Sequence, residues 1–290
     1  IRRPPRSTLS SSSAASDVYK RQILYSALTY VPVSQTFAAG VFPGLILLLF
    51  MIALVLFKCR HIERSKPATN YEKLILGIKA FPALLTPLII LGGIYGGLLT
   101  PSESAAVSGI WAIFMGFLIY RELTISSLLQ SIKDTAITTS VIFSIIAMAT
   151  FLSKVFTYTQ FPQFIIKSIT DMGVGLNFFW FAMALICLIL GTFIEIVPVF
   201  YLTIPIFTAI ILSFDQSLIH LYVVFVAFAG IGMITPPVCV GIYTSASVIK
   251  ENPGNAFKEV PLFTVVGILY GILMILFPGL STRLPNYLSG

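Results

Sequence analysis

Three short stretches hold the residues whose types and spacing could do chemistry, and each interrupts an apolar run. The first is Gly191-Thr192-Phe193-Ile194-Glu195-Ile196-Val197-Pro198. Glu195 is the only acid among the 39 residues from Leu176 to Phe214. A carboxylate at membrane depth is costly to keep and marks a functional site by default. Its plainer role would be a buried hydrogen-bonder stitching the tip of a hairpin, and the sequence leaves the two roles level. The second stretch is Gly230-Ile231-Gly232-Met233-Ile234-Thr235-Pro236-Pro237-Val238-Cys239-Val240-Gly241. Two prolines in a row remove two amide donors and free carbonyls one turn earlier. Those carbonyls and the Thr235 hydroxyl are hard oxygen ligands of the kind a sodium ion takes. The alternative is a simple proline kink; the flanking glycines favour an unwound ion-binding break. The third is Gly92-Gly93-Ile94-Tyr95-Gly96-Gly97-Leu98-Leu99-Thr100-Pro101-Ser102-Glu103-Ser104. Its four glycines allow close helix packing, Thr100-Pro101 ends one helix, and Ser102 to Ser104 can cap the next. Glu103 then sits in a first turn, where the helix dipole favours an acid. A tight turn between two packed helices is the plainer reading, and direct solute contact is the other.

The elements that carry these stretches must lie in a bilayer. Of 290 residues, 57% are hydrophobic and 10% charged, with a mean hydropathy of +0.96. A soluble domain carries about 25% charged residues, enough to cover its surface. This chain cannot do that, which excludes a cytosolic enzyme domain, a disulfide scaffold and a disordered tail. Cys59, Cys187 and Cys239 form no CxxC pair, and His61 and His220 read as interfacial polar residues, so no metal site is expected beyond sodium. No HExxH, GxSxG or phosphate-binding loop is present, so no catalytic residues are assigned, the chain is not expected to be an enzyme, and no cofactor is implied. Residues 1–22 are rich in Ser and Arg, lack the apolar region of a secretory signal, and resemble translated adapter read-through rather than native sequence. Without them the net charge falls from +7 to +3, which is no nucleic-acid footprint.

A bilayer core of about 30 Å needs about 20 apolar residues in helix. The pattern predicts an all-α, polytopic membrane protein over 23–290, with about 7–8 membrane segments. Spans are expected at Phe37–Phe57, Phe81–Leu99, Ala105–Tyr120 and Thr135–Phe156, with an amphipathic connection over Arg121–Asp134 and an interfacial segment over Thr157–Gly175. Leu176–Phe214 is too long for one span and suits two limbs, a re-entrant hairpin or two full crossings. Leu218–Ile249 is overlong too and broken at its prolines, and Val260–Leu280 closes the chain. Basic residues mark the cytoplasmic side. Six lie between Lys58 and Lys79, and threading onward places Arg121, Lys133, Lys250 and Lys258 on the same side, ten in all against three elsewhere.

In this order the three stretches resemble the large permease subunit of TRAP (tripartite ATP-independent periplasmic, DctM-like) transporters. GGIYGGLLTPSESAAV is similar to the family's GGI-x-x-G-x-x-T-P-T-E-A-A-A-V, with Ser102 and Ser104 in place of Thr and Ala. Tyr120-Arg121-Glu122-Leu123 matches its Y-R-E-L, and GIGMITPPVCVGIY resembles I-G-L-x-T-P-P-V-G-x-N-L, with Cys239 where the family has glycine. GTFIEIVPVFYLTIPIF resembles G-M-F-M-E-P-x-A-x-L-x-I-x-x-P-I, with Pro198 three residues after Glu195 instead of next to it. The likeness runs from about Tyr25 to Leu288. It implies half of an inverted-repeat, elevator-type importer of the bacterial inner membrane, with one re-entrant hairpin at Gly191–Pro198 and one broken helix at Gly230–Gly241. The chain is then expected to be the C-terminal half of such a permease. The family is sodium-coupled, takes up small organic anions such as dicarboxylates, receives them from a periplasmic solute-binding protein, and works beside a small four-helix membrane subunit. A carrier of the wider ion-transporter class, working without a binding protein, is the alternative.

Overall fold

The computed structural model describes residues 21–58, 60, 69–171, 175–194, 196–236, 242, 254, 257 and 259–289. All elements among them are helical, as expected. They are α1 (21–29), α2 (Val33–Lys58), α3 (Asn70–Tyr95), α4 (Pro101–Phe114, running on as a π-turn over Met115–Ile119), α5 (Ile125–Tyr158), α6 (Phe161–Asp171), α7 (Leu176–Phe193), α8 (Ile196–Ser213), α9 (Leu218–Ile234), α10 (Val260–Leu276) and α11 (Gly279–Ser289). The first helix takes in Arg21 and Gln22, two residues that composition grouped with the foreign segment, and Gln22 is buried.

Five of these are long and apolar enough to cross a membrane: α2, α4 with its π-turn, α5, α7 and α8. A sixth is counted if α10 and α11, bent by 58° at Phe277-Pro278, make one broken span. These counts are of the described residues; the sequence pattern predicts about 7–8 membrane segments over the whole of 23–290, the re-entrant hairpin and the broken helix included. The α9 run stops at Ile234, because a proline follows its cap, leaving 17 helical residues or about 26 Å. α5 departs from expectation in the other direction. The supposed connection over Arg121–Asp134 and the following span form one helix of 34 residues from Ile125. No glycine or proline interrupts it, and Thr124 and Ser127 cap it reciprocally, each amide donating to the other residue's hydroxyl oxygen, at 3.0 and 3.2 Å. The two limbs of Leu176–Phe214 are helices of 18 residues each, about 27 Å, so either is long enough to cross alone.

The described residues fall into two compact units, divided within α2 and within α5 after Leu54 and Ile142. One holds α1, α6–α11, the start of α2 and the end of α5. Its centre is α9, apolar on every side and buried on nearly all of them, packed against α7, α8, α10 and α11. Phe200 of α8 and Phe225 of α9 pack at a tilt of 44° with 4.5 Å between ring centres, and Tyr25 of α1 packs on Tyr222 at 4.8 Å. The Tyr25 hydroxyl donates to the Leu218 carbonyl at 2.6 Å, tying α1 to the start of α9. His220 is a correction to the interfacial reading: it is 1% exposed, edge-on to Trp180, with Nδ1 2.8 Å from Ser281 Oγ. Ser281 Oγ also lies 2.9 Å from the Pro278 carbonyl, and its hydrogen bond with His220 pins α11 to α9.

The other unit holds the end of α2, α3, α4 and the start of α5. Its π-turn gives Tyr120-Arg121-Glu122-Leu123 a physical role. Gly116 lends its carbonyl to the amides of both Glu122 and Leu123, at 3.1 Å each, and Arg121 takes the left-handed conformation at φ 53°. That is how the chain leaves the helix before Thr124 opens the next.

Candidate functional site

The glycine-rich stretch lies in this second unit. Gly92 and Gly93 are in the last turn of α3, and the turn that follows is tied back by Gly96 N–H to the Gly92 carbonyl at 2.9 Å and Leu98 N–H to the Gly93 carbonyl at 3.0 Å. Gly97 stands at φ +65°, where a side chain would be strained. The cap of α4 is Thr100 rather than Ser102 to Ser104. Its hydroxyl accepts from Glu103 N–H at 3.3 Å, and the Glu103 carboxylate accepts from the Thr100 amide and hydroxyl at 2.7 Å each. Pro101 occupies the first helical position, where a missing amide costs nothing. Thr100, Pro101, Ser102 and Glu103 thus close a capping box around the start of α4.

The other two stretches lie in the first unit and come together. Gly191 and Thr192 form the last turn of α7, with the Thr192 hydroxyl donating to the Ile189 carbonyl at 2.8 Å. Ile194 is extended, at φ −126° and ψ 143°, which ends the helix before α8 starts at Ile196. Glu195 lies outside the described residues. In α9, Gly230 and Gly232 are helical and Thr235 is the extended cap, with Pro236 after it; Pro237 to Gly241 also lie outside the described residues. A β-carbon on Gly232 would stand 2.9 Å from Gly191 Cα, and one on Gly191 would stand 2.9 Å from the Ala229 carbonyl oxygen. The backbones of α7 and α9 therefore meet directly, glycine on glycine, so the end of α7 is held against the helix whose far end is the proline break.

At the break, Pro236 cannot donate to the Gly232 carbonyl four residues back. That carbonyl is recovered by Thr235 N–H at 3.0 Å, so it is not among the freed oxygens. The Thr235 hydroxyl donates to the Ile231 carbonyl at 2.7 Å. Its oxygen faces a residue that sequence reasoning passed over, Thr264 of α10, at 3.4 Å. Two further contacts align with this one. Ile231 fills the notch at Gly267, and the Phe228 ring fills the notch at Gly271. The order Thr235–Thr264, Ile231–Gly267, Phe228–Gly271 makes α9 and α10 antiparallel, seated on one stripe of small residues. The signal was present as T-x-x-G-x-x-x-G, a spacing that puts Thr264, Gly267 and Gly271 on one helix face.

Chemically, the described residues of this junction offer neutral oxygens. Neither α9 nor α10 contains an acid, and among the described residues no three of His, Cys, Asp and Glu stand together. Hydroxyls and carbonyls without carboxylates suit a hard, singly charged cation better than a divalent one.

Comparison with known proteins agrees with the pattern of these segments. The family model described as "Tripartite ATP-independent periplasmic transporter, DctM component" matches residues 21–280. The C4-dicarboxylate TRAP transporter large permease protein DctM of Pseudomonas aeruginosa is 30% identical over 269 residues, covering 92% of this chain and 63% of that protein. The protein of the same name from Vibrio cholerae is 33% identical, covering 92% of this chain and 64% of its own. The sialic acid TRAP transporter large permease protein SiaM of Vibrio cholerae is 28% identical, with 92% and 63% covered. The chain spans a little under two thirds of the length of these relatives. With a family match over nearly its whole described length and a fold of apolar helices, the chain belongs to the DctM component family of tripartite ATP-independent periplasmic transporters and is a multi-pass protein of the bacterial inner membrane.

Proposed function

We propose that this chain is permease machinery of a sodium-coupled symporter that imports small organic anions, carboxylates in particular. A periplasmic solute-binding protein delivers the solute, a small TRAP membrane subunit stands beside the permease, and no cofactor takes part besides the coupling ion. The chain performs no enzyme chemistry. The observation that carries this reading is the α9 break, where the Thr235 hydroxyl sits among neutral oxygens with the α7 terminus packed on the same helix. Two of the solutes in the relatives' names, C4-dicarboxylates and sialic acid, are acids, which supports an anionic solute, while other relatives are named for ectoine.

The test grafts residues 23–280 in place of the matching segment of the Pseudomonas aeruginosa relative and follows dicarboxylate uptake into proteoliposomes. Uptake is expected to follow an imposed sodium gradient and to stop when choline replaces sodium. Thr235→Val keeps the side chain's shape and removes one oxygen. Losing a contact to a charged group costs about 1.5–3 kcal/mol, and each ~1.4 kcal/mol is tenfold. The half-saturating sodium concentration should therefore rise about tenfold or more. If Thr235→Val leaves it unmoved while Glu195→Gln abolishes sodium dependence, the ion belongs to the α7–α8 break and the α9 break is a plain kink.

A further inference from the structure

A groove runs between α7 and α10, which both pack on α9. Its cause lies in the side chains. Trp180, Ala184 and Leu188 stand four residues apart and so share one face of α7, and the short member of that row is Ala184. Ile268, Ile272 and Leu276 repeat the spacing on α10. At the base is Phe228 of α9, whose ring is drawn down into the notch at Gly271. Trp180 lies on His220 and Gly191 on Gly232, so α7 runs parallel to α9 and antiparallel to α10, which puts Asn177 and Leu276 at the same end. Apart from the indole of Trp180, Asn177 has the only polar side chain among the described residues that line the groove.

From Asn177 to Leu188 the groove is about 17 Å long. That is close to half of a hydrocarbon core of about 30 Å, the depth of one leaflet. Its volume of about 370 Å³ spread over that length leaves a mean cross-section of about 22 Å². A helix with its side chains is about 10–12 Å across and cannot enter. A hydrocarbon chain meets its neighbours at about 3.5–4.0 Å between carbons, so it is about 4–5 Å thick and can. The polar end adds a charge. Arg283 of α11 is exposed, and its Nε lies 3.3 Å from where a β-carbon on Gly279 would stand, three residues past Leu276. A slot of leaflet length with a guanidinium beside its polar end is complementary to an anionic amphiphile.

We propose that the groove between α7 and α10 holds one acyl chain of an anionic phospholipid, whose phosphate pairs with Arg283. The acyl chain fills the space that Ala184 leaves, and the headgroup lies at the bend between α10 and α11.

The chain carries its own reporter. Its two tryptophans are Trp111 and Trp180, so in a Trp111→Phe background the emission comes from the groove alone. The full chain is reconstituted in phosphatidylcholine vesicles with a rising share of phosphatidylglycerol brominated along one acyl chain, since bromine quenches indole on contact. Trp180 is 3% exposed, so a quencher reaches it by entering the groove. Quenching is expected to saturate, and brominated phosphatidylcholine should need about a fivefold larger share for the same effect, the preference one basic residue gives an anionic lipid. Arg283→Gln should bring the two lipids level. Ala184→Leu fills the groove and should abolish the saturable quenching. Ile272→Phe fills it from an exposed position on the opposite wall, leaves α7 untouched and should do the same. Quenching that rises only in proportion to the brominated share, alike for both lipids, reports bulk bilayer and overturns the proposal. So does saturable quenching that survives both filling variants. No quenching at all means that protein covers the groove, whether another permease segment, a second copy or the small subunit, and overturns it as well. A preference for phosphatidylglycerol that survives Arg283→Gln overturns the assignment of the phosphate to that residue.

Discussion

Two glycines two residues apart in α9 should respond to alanine in opposite directions. Gly230 has nothing within 4 Å of where a β-carbon would stand, so Gly230→Ala gains helix propensity of about 1 kcal/mol and should be neutral to stabilising. At Gly232 the same methyl would lie 2.9 Å from Gly191 Cα, 2.9 Å from the Leu188 carbonyl oxygen and 3.0 Å from that of Cys187. Every one of those atoms is backbone, which cannot rotate away, so α7 and α9 must separate. Overpacking of this kind costs about 1–3 kcal/mol. Because both variants gain the same propensity, the difference between them isolates the clash. At about 2–4 °C per kcal/mol for chains of this order of size, Gly232→Ala should unfold roughly 2–12 °C below Gly230→Ala. The helix contact supplies its own reporter. Cys187 is fully buried beside Gly232, so in a Cys59→Ser, Cys239→Ser background a thiol-reactive dye reads unfolding directly at the crossing. Midpoints within about 1 °C of each other would refute the backbone contact between α7 and α9.

Thr100→Ala removes the hydroxyl from the capping box, at a cost of about 1 kcal/mol; hydrogen exchange at the amides of residues 102–104 should quicken about fivefold, and unchanged exchange would remove the cap's role. Tyr25→Phe keeps the ring against Tyr222 and Phe200 but loses the bond to the Leu218 carbonyl, so chemical unfolding should show a loss of about 0.5–1.5 kcal/mol, against about 3–5 for Tyr25→Ala. A cysteine placed at Thr69 in a background without native cysteines should label only from the cytoplasm. Labelling from the periplasm alone would reverse the charge-based threading.

What could be read ahead of the structure was local. The Pro236-Pro237 stop, the capping of α4 and the division of Leu176–Phe214 into two limbs all follow from residues within a few positions of one another. Thr100, not Ser102 to Ser104, caps α4 because Gly96 and Gly97 already close α3, which leaves Thr100 to open the next helix. α5 reads as two pieces because six of its first ten residues are polar, yet polarity does not end a helix that lacks glycine and proline. The Tyr120-Arg121-Glu122-Leu123 string was recognisable, but nothing in an arginine announces a left-handed backbone. The T-x-x-G-x-x-x-G spacing marks the helix face that carries Thr264, but not what that face meets. Its importance lies in a neighbour 29 residues away, and only the packing of two antiparallel helices puts the hydroxyls face to face.

The bond from Tyr25 to the Leu218 carbonyl spans 193 residues of sequence. A ribosome adding about 5–20 residues per second needs roughly 10–40 s to cover that distance. For all of that time α1 has left the exit tunnel and the helix meant to receive it does not yet exist. Tyr25 lacks Leu218 and Tyr222, and Phe200 and Phe207 lack Phe225, until α9 arrives, which leaves these groups open to chaperones, insertases and neighbouring chains in the meantime. Assembly of this unit therefore waits on the synthesis of α9, and slowing translation ahead of α9 lengthens the interval in which misassembly competes.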